Sequence, residues 1–252
     1  MKKITIILAV FYLPLLVAAG ERQQALVASA DSAYREKLYT RAIDKYESVI
    51  MQGYESAALY YNLGNAYFNI NDLPAAILNY ERAKVLDPRD EDIAFNLRIA
   101  NSMITDKIEP VPEIFYIRWW KSLRNSFNLH TWTITSISLF IFLLVCIGTF
   151  VLSRRLPLRK TAFWTGLIIL LFSAAAFSMA STKFTIQHDH LEAIVFEPTI
   201  TVKSSPSETG KDLFVIHEGT KVFIMDEINN WCNIRIANGS EGWMPIGSLK
   251  RI

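Results

Sequence analysis

The sequence predicts a multidomain membrane protein: an all-α segment of helical repeats, a two-helix transmembrane hairpin and a small all-β barrel. Three observations predict it. Residues 23–90 repeat with a period of 34. Two uncharged apolar runs, Trp132 to Leu152 and Ala162 to Ala180, are each long enough to cross a hydrocarbon layer about 30 Å thick. After about residue 190, β-branched runs alternate with turn residues. Composition narrows the class. Hydrophobic residues are 51% of the 252 and charged residues 20%, which excludes a disordered chain. Ten Gly and nine Pro exclude a collagen-like or linker-dominated chain. Two Cys exclude a disulfide framework and leave too few thiols for a structural zinc site. A net charge of +2 gives no basic field for nucleic acid.

In chain order, residues 1–20 read as a secretory signal peptide. Lys2 and Lys3 precede the short apolar run from Ile4 to Val17, and Ala18-Ala19-Gly20 follows it. An uncleaved anchor is the alternative reading. Either way the chain that follows is expected to be exported.

Residues 21–105 form the repeat domain, with units 23–56 and 57–90 and a capping helix. Tyr39, Ala42, Ile43, Tyr46 and Glu47 recur without a gap as Leu73, Ala76, Ile77, Tyr80 and Glu81. Small Gly64 and Ala76 let two antiparallel helices pack closely, and Tyr67, Ile77 and Tyr80 fill the space around them. Asn71-Asp72-Leu73-Pro74 reads as a turn into a helix, and Asp87-Pro88 ends that helix. The second unit resembles the tetratricopeptide repeat, or TPR. Tyr60, Leu63-Gly64, Tyr67, Leu73, Ala76, Tyr80, Ala83 and Pro88 carry that resemblance; the first unit has Ser29, Ala30 and Ala33 instead of Leu, Gly and Tyr. Two repeats and a cap are few for independent stability. Docking on a partner, on the membrane-proximal helix or on a second copy is therefore expected. The resemblance implies a peptide groove that includes Asp31, Tyr34, Tyr61, Asn65, Phe68 and Asn69. For each of these, plain surface or inter-helix packing is the alternative. Asn62 and Asn65 match the family's carboxylate clamp in type, but Val27 and Asp92 stand where its lysines belong.

Residues 106–131 form a linker and an aromatic helix. Pro110 and Pro112 stiffen the first part. Tyr116, Trp119, Trp120, Leu123 and Phe127 then recur at helical spacing among Arg118, Lys121 and Arg124, a pattern suited to the headgroup region of a bilayer. The alternative is that Trp119 and Trp120 merely begin the first span. Transmembrane helices are expected over 132–152 and 161–181. The loop 153–160 between them holds Arg154, Arg155, Arg159 and Lys160, which places it in the cytoplasm.

Residues 190–252 form the β segment, with strands expected over 193–196, 200–202, 221–224 and 232–236. Val202-Lys203-Ser204-Ser205-Pro206-Ser207, Gly219-Thr220-Lys221-Val222, Trp231, Gly242-Trp243-Met244 and Leu249 follow the order of the bacterial SH3-like domain, which this segment resembles. That resemblance implies a surface for extended or cell-wall peptides, with Trp231 as its candidate residue. Trp243 is read as a core residue, and Trp231 as either surface or core. His217 and the pair His188/His190 lack a third metal ligand nearby.

No nucleotide loop, Ser/His/Asp set, zinc-binding helix or Cys-x-x-Cys pair is present in the sequence, which leaves an enzyme the weakest class and implies no cofactor. The arrangement as a whole resembles the BatE-type proteins of the Bacteroides aerotolerance operon. Tyr61-Asn62-Leu63-Gly64-Asn65-Ala66-Tyr67, Trp119-Trp120 and Gly242-Trp243 are its most telling residues. The resemblance implies a cytoplasmic-membrane complex with von Willebrand A-type Bat proteins and a MoxR-type ATPase. The expected function is a non-enzymatic scaffold, anchored in the inner membrane with its TPR and SH3-like modules in the periplasm. The alternative is an envelope receptor whose barrel binds peptidoglycan.

Overall fold

The computed structural model describes residues 24–109, 111–112, 114–188 and 192–252. The signal-peptide reading lies outside the described residues. The chain divides into two compact units. One comprises Met1–Lys84, Glu91–Pro110 and Glu192–Ile252; the other comprises Val85–Asp90 and Val111–Leu191.

The first unit begins with five helices: α1 over residues 24–35, α2 (Tyr39–Met51), α3 (Ala57–Asn69), α4 (Leu73–Leu86) and α5 (Glu91–Met103). The two helix pairs turn alike. Lys37 and Asn71, 34 residues apart, both take a left-handed backbone with φ of 61° and 64°. Ser56 caps α3 by accepting from Leu59 N at 3.1 Å. Asp72 accepts from Ala75 N at 3.1 Å at the start of α4, where Pro74 has no N–H to satisfy. Close packing is enforced at Gly64, where an added Cβ would meet the Tyr80 ring at 2.7 Å. Tyr46, Leu59, Leu63, Ile77 and Tyr80 are fully buried around it.

The same unit ends in seven antiparallel strands: β1 (Glu192–Val195), β2 (Thr199–Lys203), β3 (Asp212–His217), β4 (Lys221–Ile228), β5 (Trp231–Arg235), β6 (Glu241–Pro245) and β7 (Leu249–Arg251). Their order is β3-β2-β6-β5-β4-β1-β7, and no pairing of β3 with β7 closes the sheet among the described residues. β-branched runs revealed β1, β2, β4 and β5. Gly242 and Pro245 hid β6, and β3 and β7 were also not expected.

The alternation of β6 corrects the reading of Trp243. Gly242 and Met244 point into the core with Val202, Cys232 and Ile234, while Trp243 is half-buried on the opposite face.

The sheet docks on the repeats. Ile194 of β1 is fully buried in one cluster with Ala76, Ile77 and Leu78 of α4 and Leu97 and Ala100 of α5. Gly219 sits so close that an added Cβ would meet Ile104 at 2.5 Å. Asp106 accepts from His217 N at 2.7 Å and from Thr220 Oγ1 at 2.6 Å, and its second oxygen pairs with His217 Nδ1 at 2.8 Å. Lys221 bridges Glu81 at 3.0 Å and Glu192 at 2.7 Å. Arg82 donates to the Arg251 carbonyl oxygen at 2.7 Å. Docking on a partner, on the membrane-proximal helix or on a second copy is what the repeats led us to expect; the sheet is a further docking surface that this expectation did not name. α5 would be the first helix of a third repeat, and β1 covers the face that a second helix would otherwise cover.

The second unit holds α6 (Phe115–Asn125), α7 (Leu129–Leu152) and α8 (Leu156–His188). α7 and residues Leu156–Thr185 of α8 are long and apolar enough to cross a membrane. α8 starts earlier than the sequence predicts, so only Ser153, Arg154 and Arg155 separate the two helices. Pro157 in its first turn favours that start. The two helices face each other through small residues. Ala162, Gly166, Ser173 and Ala176 are buried, and a Cβ on Gly166 would lie 3.3 Å from that of Cys146. Their outer faces expose Phe142, Leu152, Phe172 and Phe177.

Candidate functional site

The groove-side residues of the repeats are linked by a hydrogen-bond pattern that itself repeats. In the first unit, Asp31 accepts from Tyr46 OH at 2.5 Å and from Asn62 Nδ2 of the next repeat at 3.3 Å. In the second, Asn65 accepts from Tyr80 OH at 2.7 Å and from Asn96 Nδ2 of α5 at 2.8 Å. Each donor and acceptor stands 34 positions after its counterpart. The pattern ties a helix pair internally and to the helix that follows it.

Most of the expected groove residues meet in this network. Asn69 Nδ2 donates to Tyr34 OH at 3.1 Å and to the Asn65 carbonyl oxygen at 2.8 Å. Asn96 also donates to Tyr61 OH at 3.0 Å, and the Tyr61 ring lies 6.0 Å from that of Tyr80. Phe68 packs instead against the cluster that holds Ile77 and Leu97. Asn65 thus serves inter-helix packing, whereas Asn69 remains exposed and Tyr34 and Tyr61 half-exposed.

Tyr34, Tyr46, Tyr60 and Tyr80 stay neutral near pH 7. Burial, then the bond to Asp31, raises Tyr46 above the ordinary phenol value. Burial raises Tyr80, and it raises Tyr34 against the opposing bond from Asn69. Burial and Glu55 push Tyr60 up to about 12. The groove side therefore offers neutral phenols at Tyr34, Tyr46 and Tyr80 beside the amides and Asp31.

Sequence reasoning missed one wall of the groove. Phe95, Ile99 and Met103 of α5 are exposed, Phe95 by 54%. They stand 34 residues after Tyr61, Asn65 and Asn69, and their spacing of four puts them on one helix face. Extending the period through α5 finds them. An apolar ridge thus borders a polar floor.

Two further features belong to this unit. A cavity of about 270 Å³ is lined by Ile50, Leu63, Tyr67, Leu78 and Arg82 of the repeats and by Phe196 and Lys250 of the sheet region. On the sheet, Trp231 lies apart from the groove. Pairing sets Trp231 against Pro245 and Asn233 against Trp243, so both Trp rings rise on the outward face with Asn233 among them. Asn233 Oδ1 is buried without a partner among the described residues.

The model of the tetratricopeptide repeat family matches residues 57–90, which hold α3 and α4. No curated protein matches the chain. The matched repeat and the helix pairs that share its 34-residue period show that the chain contains a TPR, a kind of module that generally serves protein–protein interaction.

Proposed function

We propose that the chain is a non-enzymatic, membrane-anchored scaffold that holds an extended or helical peptide of a partner protein in its TPR groove. The observation that carries this reading is the groove itself: a polar floor of Tyr34, Tyr61 and Asn69 beside the exposed ridge of Phe95, Ile99 and Met103. Peptide backbone finds amide and hydroxyl partners on the floor, and apolar side chains find the ridge.

α7 and α8 serve as the anchor. Apolar side chains cover their outer faces, as hydrocarbon surroundings favour, and small residues line their contact. In this reading both outer ends of the hairpin lie on the same membrane face, which is supported by the segments before and after it belonging to one unit. Two crossings meet that condition. Arg154, Arg155, Arg159 and Lys160 at the inner end orient it, with repeats and sheet in the periplasm. The sheet is an SH3-like barrel in this reading, and the partners are von Willebrand A-type Bat proteins and a MoxR-type ATPase system in an aerotolerance complex.

The test is co-purification from gently solubilised membranes, using the intact chain and a Phe95→Glu, Met103→Glu double variant. Both residues are exposed, so the fold survives. Bat-type partners are expected with the intact chain and should drop about tenfold or more with the variant, since two apolar contacts become charged. Equal recovery from both chains refutes the groove as the docking surface.

A second reading rests on Trp231 and Trp243 sharing one outward face beside the unpartnered Asn233 oxygen. Such a face suits a cell-wall peptide. Retention of the full chain on purified cell wall, lost on Trp231→Ala, would favour this receptor reading; no retention refutes it.

A further inference from the structure

The cavity of about 270 Å³ lies behind the peptide groove. One face of each of three helices lines it. Glu47 and Ile50 are three apart on α2, Leu63 and Tyr67 four apart on α3, and α4 adds Ala75, Leu78, Asn79 and Arg82. Phe196 and Lys250 of the sheet region complete the wall. Leu63 and Tyr67 follow Tyr61 and Asn65 by two positions, about 200° around α3 at 3.6 residues per turn, so they face away from the groove.

One polar group in this wall is unmatched. Asn79 is 4% exposed. Its Nδ2 donates to the Ala75 carbonyl oxygen at 2.8 Å, which leaves Oδ1 a buried acceptor without a partner among the described residues. Such an acceptor is costly, and folded proteins rarely keep one. The repeat does not call for it: 34 positions earlier stands Lys45, whose Nζ reaches the Ser29 carbonyl oxygen at 3.2 Å.

Three charged residues share the wall among the described residues. Glu47 accepts from Tyr67 OH. Arg82 gives one N–H to the Arg251 carbonyl oxygen at 2.7 Å and has further donors. Lys250 is exposed, with Nζ 4.2 Å from the centre of the Phe196 ring. The wall thus offers acceptors at Asn79 and Glu47, cations at Arg82 and Lys250, and an apolar lining that includes Ile50, Leu63 and Leu78.

We propose that this cavity binds one free apolar α-amino acid, of which leucine is the type. The ammonium donates to Asn79 and Glu47, the carboxylate meets Arg82 and Lys250, and the side chain packs on Ile50, Leu63 and Leu78. The volume falls just below the roughly 300–1,000 Å³ of sites for drug-sized ligands, which suits a single amino acid. The last residue of a peptide offers the same carboxylate and side chain but an amide in place of the ammonium, and Glu47 favours the ammonium. Repeats and sheet both touch the ligand, so binding stabilises their docking by mass action. The site uses no residue of the groove or of α7 and α8.

The experiment is equilibrium dialysis of radiolabelled L-leucine against the full chain in nanodiscs. Saturable binding of one leucine per chain is expected. Glycine has both charged ends but no side chain, and N-acetyl-L-leucine lacks the ammonium; each should compete about tenfold more weakly or worse. Asn79→Leu and Lys250→Met should each weaken leucine binding about tenfold, the loss of one hydrogen bond between charged or polar partners. Leucine should raise the melting temperature of the wild type but not of Asn79→Leu. The Phe95→Glu, Met103→Glu groove variant should bind leucine as the wild type does.

No saturable leucine binding by the wild type overturns the site. Equal competition by glycine or by N-acetyl-L-leucine overturns the free apolar amino acid as its ligand. Wild-type affinity in Asn79→Leu, or loss of binding in the groove variant, overturns the placement of the ligand in this cavity. If Asn79→Leu does not fold, Lys250→Met decides, because Lys250 is exposed: undiminished binding overturns the proposal.

Discussion

The two units bury opposite kinds of side chain. In the repeats and sheet, the large apolar residues are inside: Tyr46, Leu63, Ile77, Tyr80 and Ile194 are all nearly or fully buried. In α7 and α8 the large residues are outside, with Phe142 exposed by 63% and Leu152 by 83%, while Ala, Gly and Ser line the contact. Water drives the first arrangement, because burying a large apolar side chain contributes about 1.5–3 kcal/mol. In hydrocarbon that drive vanishes, and close approach through small residues governs instead. In the proposed membrane setting of α7 and α8, one chain carries two solvents' rules, and the change falls between Ile108, which packs on the sheet core, and Phe115, which is exposed.

The largest expected break is at Ile194. Ile194→Asp places a carboxylate in the contact of sheet and repeats and should cost about 4 kcal/mol or more. Limited proteolysis should then cut residues 104–110 readily, where Asp106 and Ile108 are now held. The same kind of change on the hairpin should do little: Phe142→Ala should shift detergent-state stability by no more than about 0.5 kcal/mol. A core-sized loss there, by thermal melt, would mean that Phe142 is packed inside protein instead of facing a surrounding solvent.

The glycines sharpen the contrast. Gly64→Ala drives a methyl into the Tyr80 ring and should cost about 1–3 kcal/mol. Gly166→Ala meets Cys146 only at 3.3 Å and should cost less than about 1 kcal/mol. Melting of both variants against wild type gives the order, and a reversed order would remove the claim that the aqueous unit is the more tightly packed.

The smallest effect is a pH effect. Burial alone would raise the Asp106 carboxyl, but bonds from Thr220 and His217 outweigh it and hold it below the ordinary carboxylate value. A depressed carboxylate contributes stability that is present above its unfolded value, near 3.9, and lost as pH falls through the folded value. Amide exchange at His217 should therefore quicken below about pH 4. In Asp106→Asn that acid-dependent step should disappear. An unchanged profile would assign the acid response to other groups.

The repeats were legible because their period is written in buried residues; Tyr46 and Tyr80 do the same work 34 positions apart. The groove was half legible. Tyr34, Tyr61 and Asn69 lie where the period puts them, but Phe95, Ile99 and Met103 were passed over because α5 was read as a cap, although it keeps the repeat's spacing. Docking of the sheet was illegible. Its contacts join Ile77 to Gly219, Glu81 to Lys221 and Asp106 to His217, and no local pattern marks pairs so far apart. The core face of β6 was misjudged because Trp243 is bulkier than Met244, whereas alternation along the strand decides which one points inward.

The docked sheet also sets an order on synthesis. The repeats leave the ribosome first, yet the strand that covers Ile77, Leu97 and Ala100 begins only at residue 192, after α6, α7 and α8. At roughly 5–20 residues per second the gap from α5 lasts several seconds or more. Through that interval the nascent repeats carry an uncovered apolar face, and any message that ends early leaves it uncovered for good. Chains truncated before β1 are marked for chaperones and proteases by their own geometry, because this face is hidden only once β1 has been made.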